Sequence, residues 1–497
     1  MNLFRNALFN LAGSAVPALL AIFTIPYIVK SLGASDYGLL TLVTSIVGYF
    51  ALLDINVTAA STKYISQYSA DNDNESLYQT IIFGVITYSI IGFVGMLSLY
   101  LLGDVLIIKF FGIEEQNQVR AGGLMKVAAL GFFISQIQTY LQSIPGALAR
   151  YDISARIEAV FGTAVTLLTV LFLYLDMGLI ELIWLRVILS FLQTCVIIWL
   201  LRKLLPSFRF IAVRRSVAVN NFSFSLYSFL SKIASVTYVN ADKLIIGAKI
   251  GTTPLTYYVV PVSLVSRVMA LVYRLASVML PHASFLATQK RWDELRSDYL
   301  ITSRYVCFLN GLLATLMAAY SAEILALWLS PEFAKFGSPI MIAVAISYWV
   351  DSLTNIPSLV NDGLGNPKIS GFFSLLRAAF GLIFIFIGVS LYSIEGAAYG
   401  QLLSTILASV SFLIYVHIHT LRISLIDLIR CVYAPVLIVL APVFLVSRFL
   451  AFFQINGWGM LFFAVVFSGL ISFAGGYVMV LSVEHKANIR RLLGMMS

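Results

Sequence analysis

The sequence predicts an all-α, polytopic membrane protein, and three observations carry that prediction. Of 497 residues, 60% are hydrophobic and only 11% charged, about half the charged fraction of an ordinary soluble chain. Apolar runs such as LAGSAVPALLAIFTIPYIV and LLRAAFGLIFIFIGVSLY recur from end to end, each long enough to cross a hydrocarbon core of about 30 Å. No run alternates with the period of two that a membrane barrel needs. Backbone groups cannot go unpaired in lipid, so runs of this length are expected to be helices.

In chain order the apolar runs place about fourteen spans. Their cores lie at 7–30, 37–60, 79–102, 120–148, 155–175, 179–201, 218–247, 255–284, 298–322, 337–361, 369–391, 394–416, 429–447 and 457–481. The first run follows a single basic residue, Arg5, and ends in LGASDYG, a turn rather than a cleavage site. It is therefore expected to stay as a span and not to be removed as a signal. The joins are short and leave no room for a soluble catalytic domain. The expected division is an N-terminal bundle of about six spans at 1–210, a second of about six at 211–420, and two further spans with a cytoplasmic tail at 421–497.

Orientation follows from the basic residues in the joins. With the N-terminus in the cytoplasm, eighteen of the 32 Lys and Arg residues fall on the inner side and six on the outer. The even span count then puts the C-terminus inside as well. The formal charge of +9 is thus mainly an orientation signal. The basic cluster at 202–215 flanks two spans in a loop too short to fold alone, so a nucleic-acid partner is not expected.

The chain carries a hint of internal repetition. SLGASDYGLLTLV in the first half matches AKIGTTPLTYYVV two hundred residues later, with Gly33 against Gly251 and Tyr37 against Tyr257. An even number of spans per copy implies two bundles related by a parallel pseudo-twofold. Pro17, Pro26, Gly146, Pro261 and Pro357 are candidate hinges within the spans.

Charge inside the spans is the feature that points to function. In FLSKIASVTYVNADKLIIGAKI, Lys232 and Lys243 are three helical turns plus about 20° apart and share a face. Counted from residue 218, Lys232 lies roughly 21 Å deep. Arg267 and Arg274 share a face of the next span, and Arg304 and Arg377 add two more embedded cations. A charge at the bilayer centre costs at least about 2.5–3.5 kcal/mol, so these groups are expected to line a wet or protein-walled cavity. Their excess over embedded acids suits an anionic guest, with Arg offering paired donors to phosphate and Lys a mobile point charge. The competing expectation is internal ion pairing, with Asp54 or Asp351 neutralising one or two of the bases.

Nothing in the sequence predicts catalysis or a cofactor. Cys195, Cys307 and Cys431 are scattered singly in apolar surroundings and read as packing residues. The four histidines form no metal motif, and His417 and His419 sit at a span end, where interfacial positions are expected. No phosphate-binding Gly-rich loop is present. A membrane polymerase or ligase of glycans needs a larger outer loop than any here, and a cation-coupled drug or metabolite exporter needs a more acidic cavity.

The segments NLAGSAVPALLAIFTIPYIVKSLGASDYGLLTLV, LDINVTAASTKYIS and NDGLGNPKIS resemble the bacterial polysaccharide transporters. That family includes the O-antigen flippases of the multidrug/oligosaccharidyl-lipid/polysaccharide exporter superfamily. Members share a Leu-Gly turn followed by Tyr-Gly, here Leu32, Gly33, Tyr37 and Gly38. They also share Leu-Asp-x-Gly followed by a base, here Leu53, Asp54, Asn56 and Lys63, with Asn56 standing where Gly is usual. The resemblance implies a fourteen-helix, two-lobed transporter of the inner membrane that moves undecaprenyl-pyrophosphate-linked oligosaccharide from the inner to the outer leaflet. It further implies basic head-group ligands in a central cavity, which depth rather than motif places at Lys232, Arg267, Arg274, Arg304 and Arg377, with Asp54 or Asp351 as a coupling or gating site. Coupling to a proton or sodium gradient, and association with other glycan-assembly membrane proteins, are implied in the same way.

Overall fold

The computed structural model describes residues 3–107, 111, 115–276, 279–453, 455–482 and 485–486. The chain packs as two compact units, Met1–Thr256 and Tyr257–Ser497. Both are helical, with no strand among the described residues. Ten helical segments among those residues are long and apolar enough to cross a membrane. The sides they leave uncovered are apolar in the way a hydrocarbon solvent requires.

The first unit holds α1 (Leu3–Phe50), α2 (Val57–Ala70), α3 (Asn74–Val105), α4 (Glu115–Ala147), α5 (Tyr151–Tyr174), α6 (Leu179–Leu204), α7 (Arg215–Lys249) and the start of α8 (Thr252–Ala276). On α3, Ile86, Ile90, Phe93, Leu97 and Leu101 are exposed at helical spacing and form a lipid-facing stripe. Helix α1 is broken at Gly33, whose φ of 78° no side chain adopts readily. Gly251, which the sequence matched to Gly33, also has positive φ, at 104°. The two turns lie against each other. The Thr256 hydroxyl donates to the Ala34 carbonyl at 2.6 Å, and a Cβ on Gly38 would fall 1.9 Å from the Thr252 carbonyl oxygen. Gly247 of α7 gives way in the same manner to Leu42 of α1. Helix α3 starts at an Asp73 cap that accepts the Ser76 N–H at 3.0 Å.

The expected span at 37–60 does not run through. A short 3-10 turn at Ala51–Leu53 ends it, Asp54 is extended, and Asn56 is left-handed at φ 63°. This explains why glycine is usual at that place: the backbone needs positive φ, and Asn is the side chain that best tolerates it.

The second unit continues α8 and adds α9 (Met279–Thr288), α10 (Trp292–Ala319), α11 (Ser321–Trp328), α12 (Pro331–Ser352), α13 (Asn355–Gly363), α14 (Pro367–Tyr415), α15 (Leu425–Leu428), α16 (Ala434–Phe452) and α17 (Trp458–Met479). Its core includes Tyr299, Phe308, Leu312, Val360, Phe412 and Val436. Helix α14 turns back on itself at Tyr392 and Ser393. Gly388 and Gly396 then meet so closely that a Cβ on either would strike the other's carbonyl. Small residues of this kind let membrane helices approach where no hydrophobic effect drives them together. Pro357 lies in the first turn of α13, where a missing N–H is harmless, and the break before it separates α13 from α12.

Two expectations about packing are corrected. Only Cys307 of the three cysteines is buried, whereas Cys195 and Cys431 are exposed; a thiol on an apolar helix can face lipid as readily as protein. His417, near the end of its span, is fully buried in protein and not exposed there. Its Nε2 lies 2.6 Å from the Tyr299 hydroxyl and its Nδ1 2.5 Å from the Leu413 carbonyl, so both ring nitrogens are satisfied. His419 is exposed and stacks on Tyr415.

Candidate functional site: two charge pairs and a polar cleft

In the first unit the break between α1 and α2 delivers Asp54 into the interior, where it is 3% exposed. Its Oδ1 accepts the Val57 N–H at 3.2 Å and so caps α2. Its Oδ2 accepts the Tyr88 hydroxyl at 2.6 Å and pairs with the Lys232 ammonium from α7. Tyr88 in turn meets the Thr58 hydroxyl and accepts the Thr58 N–H. It stacks on Tyr140 with ring centroids 5.1 Å apart. Tyr140 anchors its own hydroxyl on the Thr80 and Ile81 carbonyls, and Gly84 makes room for its ring. The Asp54 carboxyl group is thus held by three donors, one of which, Tyr88, is stacked on a second aromatic ring. The pair with Lys232 does not stabilise by Coulomb attraction alone, because both charges have lost water. Its geometry is maintained by the full set of hydrogen bonds.

In the second unit Arg377 of α14 pairs with Asp351 of α12. This pair sits in a cleft of about 190 Å³ whose walls include Thr354, Asn355, Ser358, Ser374 and Phe373. The C-terminal end of α14 supplies Ser409 and Phe412, and α8 supplies Tyr273. The cleft is ordered from behind. Ser370 donates to Asp362 at 2.7 Å, and the Asn361 amide donates to the Asn366 carbonyl at 2.7 Å, holding the loop in which Gly365 has φ 84°. This is the segment NDGLGNPKIS, and its polar residues build a turn.

The structure therefore joins Lys232 to Asp54 and Arg377 to Asp351, two of the five candidate bases with the two candidate acids, as the competing expectation of internal ion pairing has it. Arg304 lies on α10 with its guanidinium 6.0 Å from the Tyr305 ring centroid, and its Nε is buried without a hydrogen bond. Arg267 is half-buried on α8. The side chain of Arg274 lies outside the described residues. Tyr88 and Tyr140 were not foreseen as partners of Asp54, and neither were Asn355 and Ser358 as cleft residues. The two tyrosines look like ordinary core residues in sequence. Asn355 and Ser358, flanking Pro357 in a polar interruption of an apolar run, did leave a readable trace. Among the described residues no group of three or more His, Cys, Asp or Glu side chains is placed to hold a metal.

Comparison with known proteins adds an independent line. Residues 29–337 match the model of a family described as polysaccharide biosynthesis protein. A Shigella flexneri protein described as "Putative O-antigen transporter" is 21% identical over 415 residues, covering 80% of this chain and 94% of that protein. Among solved structures, the lipid II flippase MurJ in an inward closed conformation superposes with a TM-score of 0.74 at 15% identity, covering 96% of this chain and 98% of MurJ. A multidrug transporter of the MATE family in an inward-facing conformation superposes with a TM-score of 0.71 at 12% identity, covering 83% of this chain and 95% of its own. At these identities the two structures establish the shared fold.

Proposed function

Because the chain belongs to the polysaccharide biosynthesis protein family, we propose that it is a flippase of the inner membrane. It moves undecaprenyl-pyrophosphate-linked oligosaccharide, an O-antigen or similar repeat unit, from the inner to the outer leaflet by alternating access. The observation that carries this reading is the match of residues 29–337 to that family, and the pairs Lys232–Asp54 and Arg377–Asp351 add charge inside helices otherwise suited to lipid. A polar head cannot cross hydrocarbon alone, and embedded charge is retained where a pathway needs it.

In this proposal the protein has about fourteen spans in two pseudo-symmetric bundles, with both termini cytoplasmic. That count follows when α1 and α14 are each taken as two helices across their kinks and when α7 and α8 are added. The charges on those two helices, Lys232, Asp242 and Lys243 on α7 and Arg267 and Arg274 on α8, suit pathway helices that do not face lipid. The division into bundles at 1–210 and 211–420 with two further spans at 421–497 belongs to the same proposal.

Lys232, Arg267, Arg274, Arg304 and Arg377 are the proposed ligands of the anionic head group, and Asp54 and Asp351 the proposed coupling or gating residues. The pairing supplies a mechanism for the coupling. Protonation of Asp54 cancels the carboxylate that holds Lys232 and frees the ammonium for phosphate; deprotonation reclaims it and discharges the cargo. A proton gradient, or a sodium ion competing for the same carboxylate, would then drive exchange. Partner proteins of glycan assembly would supply the lipid-linked substrate.

The test is reconstitution of the purified protein in liposomes with lipid-linked oligosaccharide, following leaflet exchange with and without a proton or sodium gradient. Exchange that requires the protein and responds to one gradient is the expected result. Protein-independent or absent exchange overturns the proposal.

A further inference from the structure

We infer that the cleft around Asp351 and Arg377 is a sugar-binding subsite, taking one ring of the glycan and not the diphosphate, so that of the five proposed head-group ligands Arg377 meets a sugar and the other four are left to the diphosphate. The inference rests on the flippase reading and narrows it. Three features of the cleft carry it.

The first is charge. Among the described residues Arg377 is the one base lining the cleft and Asp351 the one acid, and they face each other as a pair. A diphosphate would have to pull Arg377 away and leave the Asp351 carboxylate half-buried and uncompensated, beside a second anion. A neutral ring leaves the pair intact and can bond to both its members.

The second is the kind of polar group on offer. Thr354, Asn355, Ser358, Ser370, Ser374 and Ser409 all line the cleft. Asn355 and Ser358, one turn apart on α13, are partly buried on the cleft wall and make no side-chain hydrogen bond to another described residue, which leaves their polar atoms open to a guest. The Asn355 amide combines donors and an acceptor, the Asp351 carboxylate accepts, and the Arg377 guanidinium only donates. Sugar hydroxyls both donate and accept, so a mixed set of planar groups and hydroxyls recognises them. A phosphate accepts only and would be met by donors alone.

The third is shape. Phe373 and Phe412 form an aromatic wall, their centroids 5.4 Å apart, and the exposed ring of Tyr273 stands at the rim. The apolar C–H face of a pyranose packs on such rings. A cleft of about 190 Å³ holds more than a single water needs and has room for one ring.

The experiment uses full-length protein in nanodiscs and saturation-transfer NMR. The probes are free glucose, galactose and N-acetylglucosamine, with inorganic pyrophosphate as competitor. At least one sugar should receive saturation, and pyrophosphate should not displace it. Asn355→Ala combined with Ser358→Ala should weaken that sugar's Kd by about tenfold, the effect of one or two lost hydrogen bonds. The melting temperature should stay unchanged, since neither side chain bonds to the protein. Three results overturn the inference: no saturation of any of the sugars, displacement by pyrophosphate that Arg377→Gln abolishes, or unaltered affinity in the double variant. Leaflet exchange measured in parallel keeps the two readings apart. Exchange without sugar binding removes the subsite alone, and absence of exchange removes the transport function on which it rests.

Discussion

Lys232, in the middle of α7, donates to the carboxylate of Asp54, a residue 178 positions earlier at the break between α1 and α2. The contact ties a helix of high polarity into the first unit. It also converts an otherwise prohibitive embedded ammonium into half of a satisfied pair. Asn221 reinforces the same packing one end further along α7, where Ser61 donates to it at 3.5 Å.

Removing one member of the pair is expected to cost more than removing both. Lys232→Ala strips a donor from Asp54, and Asp54→Ala leaves a buried ammonium. Each should destabilise by about 3–5 kcal/mol, as breaking a buried pair does. Asp54→Ala combined with Lys232→Ala should recover part of that loss, because no buried charge is then left without its counter-charge. Unfolding of the four proteins in detergent closes the double-mutant cycle. Additive losses would mean that the two side chains do not interact.

The two glycines of the first turn should fail for different reasons. Gly33→Ala has free space around it but positive φ, and is expected to cost about 1–2 kcal/mol. Gly38→Ala has a helical backbone but meets the Thr252 carbonyl, so it should either displace α8 or prevent folding. Thermal melting separates them, with Gly38→Ala the more damaging.

Asn56 is left-handed. Replacement by Gly should be neutral or stabilising, and replacement by Val should cost at least about 1–2 kcal/mol. Equal stability of the Gly and Val variants would contradict the backbone assignment.

Asp73 gives a pH signature outside the spans. Hydrogen bonds from Ser76, through its side chain and then its N–H, hold the carboxyl below its usual 3.8, with Arg214 adding to the effect. A carboxyl depressed in the folded state adds stability above pH 3.8 that is lost as pH falls through the lower folded value. Asp73→Ala should cost about 0.5–2 kcal/mol at pH 7, and the difference from wild type should shrink in acid below that window. Asp73→Asn caps equally well and should show no such change. The check is a pair of melting curves, at pH 7 and at the lowest pH at which the wild type stays folded.

Much of the membrane architecture was legible because lipid imposes simple demands. Run length and composition mark spans, and positive φ marks turns, which is why Gly33 and Gly251 could be matched before any coordinates. The embedded bases were legible by depth alone. Asp54 and Asp351 were legible as the acids to neutralise one or two of them, as the pairs with Lys232 and Arg377 show, but Tyr88 was not, because nothing local distinguishes it from a core aromatic. Only the fold brings residue 54 to residue 232, and residue 351 to residue 377. The left-handed Asn56 shows the limit from the other side: the sequence shows only that Asn stands where Gly is usual, and the fold supplies the reason, a requirement of backbone conformation.

The most direct test of the central claim is leaflet exchange of undecaprenyl-pyrophosphate-linked oligosaccharide in liposomes by wild type and by Lys232→Ala, Arg267→Ala, Arg274→Ala, Arg304→Ala and Arg377→Ala proteins of verified fold. The account predicts that Lys232→Ala and Arg377→Ala each lose at least about tenfold in rate and that Lys232→Arg and Arg377→Lys retain part of it. Wild-type exchange by all five folded alanine variants would contradict it.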